Sequence, residues 1–123
     1  MDNREVFYIQ RNHFDILTSL LNQSLDSFID CRYLFNIKGY QFKHRLTGAE
    51  TFINRFLNDI NSRKYVVNVN DLEHLFIIFD NVLSSFTVGQ HKLEVKLFNQ
   101  IFYIQHQLKA LTESIIKFNQ IEN

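Results

Sequence analysis

The fold is decided by residues 93 to 118, which read LEVKLFNQIFYIQHQLKALTESIIKF. Large apolar side chains recur along this stretch at spacings of 4, 4, 3, 4, 3, 4 and 3 residues, at Leu93, Leu97, Ile101, Ile104, Leu108, Leu111, Ile115 and Phe118. Alternation of three and four residues keeps one face of a helix apolar along its whole length, and it lets side chains of neighbouring helices interdigitate. The stretch therefore predicts a long helix packed within a helical bundle.

A second stripe of this kind lies near the start of the chain. Its members follow one another at spacings of 3, 4, 3, 4, 3 and 4 residues, at Phe14, Leu17, Leu21, Ser24, Phe28, Cys31 and Phe35. The stripe predicts a first helix that begins near residue 5 or residue 12 and ends near residue 36, before Gly39.

Two further helices are predicted between these stretches from capping patterns. Thr47-Gly48-Ala49-Glu50 matches a capping box, in which the Thr hydroxyl and the Glu carboxylate bond each other's backbone amides, so a second helix is expected to start at Thr47. Asn70 precedes another apolar run and predicts a third helix over about 71–86. Thr87-Val88-Gly89 is then expected to turn the chain into the last helix.

The predicted fold class is all-α, a single-domain bundle of about four helices over residues 1–123. The absence of proline and the presence of only three glycines favour long helices over a fold with many turns. The alternative is an α+β fold with a small hairpin, because Lys64 to Val69 is β-branched and Ile37 to Phe42 could also form strands. The predicted core comprises Leu17, Leu21, Phe28, Phe56, Phe79, Leu97, Ile101, Ile104 and Leu108.

Length and composition place the chain among globular proteins. It has 123 residues, of which 46% are hydrophobic and 21% charged, so disorder is not expected. The longest apolar run, Leu75 to Phe79, is far shorter than the roughly 18 residues of a membrane-spanning helix. The opening residues are polar and resemble no secretory signal. We therefore expect a cytoplasmic protein without a membrane partner.

Motifs for catalysis, metal binding and cofactor binding are not found in the sequence. Cys31 lies on the apolar stripe of the first helix, where it is expected to pack as a small apolar side chain. His91 and Glu94 have a ligand-like spacing but stand alone at a helix start, where a solvated turn is the ordinary explanation. The prediction is a protein that is not an enzyme, has no cofactor and holds no metal.

The charge distribution suggests one alternative function. Net charge is zero over the chain, but residues 32–64 carry seven basic and two acidic groups, a local charge of +5. Tyrosine and cationic side chains interleave there, which could provide base stacking and phosphate contacts. The alternative hypothesis is therefore nucleic-acid binding through this basic segment, with candidate residues Lys38, Tyr40, Lys43, His44 and Arg45.

The last helix provides the favoured hypothesis. Beside its main stripe it carries a second apolar face at Val95, Phe98, Phe102 and Tyr103. This is more apolar surface than one bundle groove needs to cover, and surplus apolar surface commonly marks an interface. The sequence therefore predicts a protein-binding helical module, such as a small inhibitor, immunity protein or adaptor. Its partner would be another protein or a second copy in a homodimer.

Overall fold

The computed structural model describes residues 6–63, 65–86 and 92–122. Four long helices dominate these residues, together with a short two-stranded sheet. In chain order the elements are β1 Val6–Tyr8, α1 Arg11–Asp30, a 3₁₀ turn Cys31–Leu34, α2 Phe35–Lys38, α3 Tyr40–Ser62, β2 Val66–Asn68, α4 Val69–Leu83 and α5 Lys92–Glu122. The predicted helical bundle is confirmed, and it includes a small two-stranded element.

The core lies between the four long helices. Helix α1 packs against α5 and α3, and helix α4 packs against α3 and α5, so each long helix has two long neighbours. All nine side chains of the predicted core are at most 3% exposed. Two of them, Phe28 of α1 and Phe79 of α4, have ring centroids 5.9 Å apart. Such ring pairs contribute about 0.5–1.5 kcal/mol beyond the burial of their area.

Gly39 separates the first helical segment from α3, as its position in the sequence predicted. Its φ angle is +90°, which side chains with a Cβ rarely adopt, and its amide donates to the Phe35 carbonyl at 2.9 Å to close α2. The helical segment thus ends at Lys38, two residues beyond the predicted end.

The predicted start of the second helix at Thr47 is wrong. Helix α3 already begins at Tyr40, and Thr47 lies inside it, where its hydroxyl donates to the Lys43 carbonyl at 2.8 Å. Glu50 forms an ion pair with Arg32 instead of closing a capping box. The reason is that apolar residues on the buried face continue upstream of Thr47, so the helix extends back to Gly39. The buried residues of α3 are Phe42, Leu46, Ala49, Phe52, Ile53, Phe56, Leu57 and Ile60.

The N-terminus of α4 lies two residues before the predicted one. Asn68, not Asn70, is the capping residue, and its Oδ1 accepts from the amides of Asn70 at 2.8 Å and Asp71 at 3.3 Å. The helix ends at Leu83 rather than near residue 86. The turn predicted at residues 87–89 lies outside the described residues.

The two strands pair in antiparallel fashion, with Phe7 opposite Val67. The β-branched stretch near residue 66 thus forms a strand, but its partner is β1 and not residues 37–42, which are helical on both sides of Gly39. Asn119 of α5 fixes β1 to the bundle. Its Oδ1 accepts from the Tyr8 amide at 2.8 Å, and its Nδ2 donates to the Tyr8 carbonyl at 2.9 Å.

Candidate interaction surfaces

Cys31 is fully buried at the end of α1, as the sequence predicted. Burial raises the pKa of the Cys31 thiol to about 12, and the nearby carboxylates of Asp30 and Glu50 act in the same direction. Because the thiolate is the reactive form, this thiol has neither the charge nor the access that a nucleophile needs.

Potential metal ligands are dispersed over the part of the chain that the structure describes. No three His, Cys, Asp or Glu side chains among those residues come close enough to hold a metal ion. His91 lies outside the described residues. Glu94 is 5% exposed, and its Oε2 accepts from the Lys38 ammonium at 2.6 Å in a buried ion pair.

The four residues predicted on the second face of α5 lie on two different flanks of that helix. Val95 and Phe98 are partly buried, Phe102 is 48% exposed and Tyr103 is 63% exposed. Phe98 packs edge-on against Phe86, which follows α4. Tyr103 lies about 100° further round the helix than Phe102 and lines a cleft shared with α1.

The flank beside α4 carries a row of aromatic rings. Phe98 and Phe102 are stacked with centroids 6.0 Å apart and an interplanar angle of 9°, and His106 lies 6.0 Å beyond Phe102. Phe98 is fixed against the core by this stacking and by Phe86. Phe102 is therefore the phenylalanine of this row that presents the larger apolar area to solvent.

On the flank of α5 that faces α1, three clefts with shared lining residues form one continuous surface. The first, of about 540 Å³, is lined by Tyr103 with Lys96 and Gln100. Lys96 and Gln100 also line the second, of about 260 Å³, where Tyr33 and Leu93 join them. The third, of about 400 Å³, adjoins the second through Asp30 and Tyr33 and is lined by the end of α1 and the 3₁₀ turn, at Ile29, Asp30, Arg32 and Tyr33. We call this surface the α1–α5 furrow and define it by Ile29, Tyr33, Leu93, Lys96, Gln100 and Tyr103.

Large apolar side chains stand exposed along the furrow. Tyr33 is 80% exposed, Tyr103 63%, Ile29 48% and Leu93 37%. The clefts of the furrow contain charged groups of both signs: Asp26 and Lys96 line the first cleft, and Asp30 and Arg32 line the third. Apolar anchors among mixed polar groups are the usual anatomy of a protein interface.

Two ion pairs fix the end of the furrow at which Tyr33 lies. Lys38 of α2 is bound to Glu94 of α5, with side chains only 9% and 6% exposed. Arg32 of the 3₁₀ turn binds Glu50 of α3 at 3.1 Å. The segment that carries Tyr33 is thus held against two long helices.

The residues of the nucleic-acid hypothesis do not all share one surface. Lys38 is buried in its pair with Glu94, with its ammonium 5.6 Å from the ring centroid of Phe42, so it does not belong to an exposed basic site. Tyr40 is 79% exposed and stacks on His44 at 5.8 Å. Lys43 is exposed and lies over the ring of Phe35.

The remaining two of those residues, His44 and Arg45, lie at the surface between α3 and α4. A cleft of about 270 Å³ between them is lined by His44 and Arg45 of α3 and by His74 and Asn81 of α4. The Arg45 guanidinium donates to the Ser85 hydroxyl at 2.9 Å, and that hydroxyl donates to the Asn81 carbonyl at 2.9 Å. We call this the α3–α4 cleft.

A further cleft, of about 330 Å³, lies between the second half of α3 and the start of α4. Its charges largely offset one another. The Arg55 guanidinium lies 3.3 Å from Asp59 and 3.6 Å from Asp71. Arg63 also lines this cleft.

Ile29, Tyr33 and His74 were not among the candidate site residues predicted from the sequence, although Tyr33 is one of the tyrosines that interleave with the cations of the basic segment. The spacing of Ile29, Tyr33 and Ile37 is four residues each, so a second apolar row beside the stripe of the first helix was visible in the sequence. His74 carried no local signal, because its proximity to His44 depends on the packing of α4 against α3.

Comparison with family models, with curated proteins and with solved structures finds no match for this chain. Among the described helices, none combines the length and the apolar character that crossing a membrane requires.

Proposed function

We propose that the chain is a non-enzymatic protein-binding helical module, such as a small inhibitor, immunity protein or adaptor. Its contact surface is the α1–α5 furrow, which contains Tyr103 of the predicted set. The partner contributes an amphipathic segment, from another protein or from a second copy of this chain. The single observation that carries the proposal is the row of exposed apolar side chains in three adjoining clefts.

Physical reasons support this surface over the rest of the molecule. Tyrosine loses few rotatable bonds on binding and is enriched among residues that dominate interface energies. Tyr33 and Tyr103 lie in the furrow with most of their side-chain area in water. Clefts between two helices suit recognition of an apolar helix face. As part of the same proposal we expect the module in the cytoplasm, because a chain with a single cysteine lacks the internal disulfides that stabilise many small secreted domains.

The experiment compares matched substitutions inside and outside the furrow. Ile29→Asp places a carboxylate in the furrow, and Ile77→Asp places one on the outer side of α4, with wild-type exposures of 48% and 53%. Each variant and the wild type serve as bait in lysate of the source organism, and retained proteins are quantified by mass spectrometry. Sedimentation velocity at about 100 μM tests self-association, a range suited to weak interfaces.

We expect Ile29→Asp to lose the captured protein or the dimer, because its carboxylate would have to be desolvated on association. Ile77→Asp should retain it, and both variants should keep the helical circular dichroism of the wild type. A monomeric wild type whose retained proteins are the same for both variants would contradict the proposal.

A further inference from the structure

The α3–α4 cleft differs from the other four clefts in its charge. Asp26, Asp30, Asp59 and Asp71 between them contribute a carboxylate to every other cleft described above. Among the residues that the structure describes, no carboxylate lines the α3–α4 cleft, whereas one arginine and two histidines do. Its side chains can therefore donate hydrogen bonds to an anion without a competing acidic group in the lining.

Ion pairs hold three of the seven basic side chains of residues 32–64, and two of the others lie in the first turns of α3, at or near this cleft. Arg32, Lys38 and Arg55 are each bound to carboxylates. Lys43 and Arg45 form no ion pair within the described residues. The first turns of α3 thus present two cations of this segment that have no paired carboxylate in the described part of the chain. Arg63 lies beyond the other end of α3, in the cleft that Asp59 and Asp71 also line.

The Arg45 guanidinium is oriented and still has donors to offer. One of its five N–H groups donates to Ser85, which is itself fixed by its bond to the Asn81 carbonyl. A guanidinium held in this way meets a phosphate group with less loss of side-chain entropy than a fully mobile one.

Tyr40 provides an aromatic face next to these donors. It is 79% exposed, and its ring is nearly parallel to the imidazole of His44, with an interplanar angle of 14°. His44 also lines the cleft, so its imidazole both stacks on Tyr40 and lies where it can donate to a phosphate. A nucleobase can stack on such a face if it is not already stacked within a duplex.

We propose that the α3–α4 cleft and Tyr40 form a binding site for single-stranded nucleic acid. Arg45, His44 and His74 hold a backbone phosphate, and Tyr40 stacks with an adjacent base. The Lys43 ammonium, on the opposite side of Tyr40 from His44, adds a long-range attraction for the phosphates of the strand. This site is separate from the α1–α5 furrow, so binding of a strand does not depend on the proposed protein partner.

The test measures fluorescence anisotropy of labelled oligo(U) and oligo(dT) of about 12 nucleotides, the site size of small single-strand binders. Titrations use the full chain at about 50 mM salt, where phosphate contacts are strong. The variants are Tyr40→Ala and Arg45→Gln. The matched control is Arg55→Gln, which removes the same charge from the other half of α3.

We expect Tyr40→Ala to weaken binding about 5-fold to 150-fold, the loss of one stacked base. Arg45→Gln should weaken it and reduce the slope of log affinity against log salt by about 0.7, the loss of one phosphate contact. Arg55→Gln should change affinity less than the other two variants. Ile29→Asp, in the furrow, should bind the strand as the wild type does.

Four results would overturn the proposal. The first is an absence of binding to either oligonucleotide up to about 200 μM protein, which corresponds to less than about 5 kcal/mol. The second is an affinity of Tyr40→Ala for the strand equal to that of the wild type. Because Tyr40 is exposed, the substitution should leave the fold intact, so a weakened affinity would not result from misfolding. The third is a duplex of the same length that binds at least as tightly as the single strand. The fourth is inorganic phosphate that displaces the strand equally from wild type and Tyr40→Ala. Either of these two results would show recognition of charge alone.

Discussion

Replacing Glu94 by Gln tests how the furrow is held together. The Lys38 ammonium lies 2.6 Å from the Glu94 carboxylate, and the two side chains are 9% and 6% exposed. The same ammonium lies 5.6 and 5.8 Å from the ring centroids of Phe42 and Phe86. Removing one charge of a buried pair costs about 3–5 kcal/mol, because the other charge stays in poorly solvated surroundings. For a domain of this length that loss corresponds to a decrease in Tm of roughly 10–20 °C.

The assay is urea unfolding followed by circular dichroism, with Arg55→Gln as the control. Arg55 is 53% exposed and pairs with Asp59 at 3.3 Å and with Asp71 at 3.6 Å. Because all of these groups are in contact with solvent, loss of the two pairs should cost about 1 kcal/mol, well below the loss expected for Glu94→Gln. The double variant Lys38→Met/Glu94→Leu should recover most of the stability, because apolar side chains of similar volume replace the pair. A loss below about 1 kcal/mol in Glu94→Gln, or a double variant no more stable than the single one, would refute the reasoning.

The remaining predictions concern single side chains. Asn68→Ala should lower the free energy of unfolding by about 1 kcal/mol through loss of the α4 cap. Thr47→Ala should change it by no more than about 0.5 kcal/mol, because Thr47 lies within a helix. Denaturant unfolding of both variants measures the difference. Cys31 should resist alkylation in the native protein at pH 8 and react after unfolding. Since folding raises the pKa of this thiol from 9.0 to about 12, its contribution to stability should be complete below pH 9 and disappear as the pH rises towards 12, which unfolding titrations across that interval measure.

The core was predictable because its signal is periodic and local. Leu97, Ile101, Ile104 and Leu108 repeat along one helix face, and burial of large apolar side chains is the dominant favourable term in folding. The start of α3 was not predictable from the capping box alone. Phe42 and Leu46 extend the apolar face of that helix upstream of Thr47, and Gly39 allows the break to fall before Tyr40.

Contacts between distant parts of the chain carried no sequence signal. Strand β1 has only three residues, and its partner β2 begins 60 positions later. Lys38 and Glu94 are 56 residues apart, so the withdrawal of Lys38 from the basic surface could be seen only in the structure. The second face of α5 was predictable as a set of residues, but its division between two flanks depends on where α1 and α4 pack.

The most direct test of protein binding through the furrow is site-specific photo-crosslinking in the source organism. A photoreactive phenylalanine derivative replaces Tyr103 in one protein and Ile77 in another, since both side chains are exposed but only Tyr103 lies in the furrow. If the furrow is the contact surface, position 103 should give one discrete crosslinked species, either with a single partner or with a second copy of the chain, and position 77 should give none of that species. Equal crosslinking from both positions, or none from position 103, would contradict it.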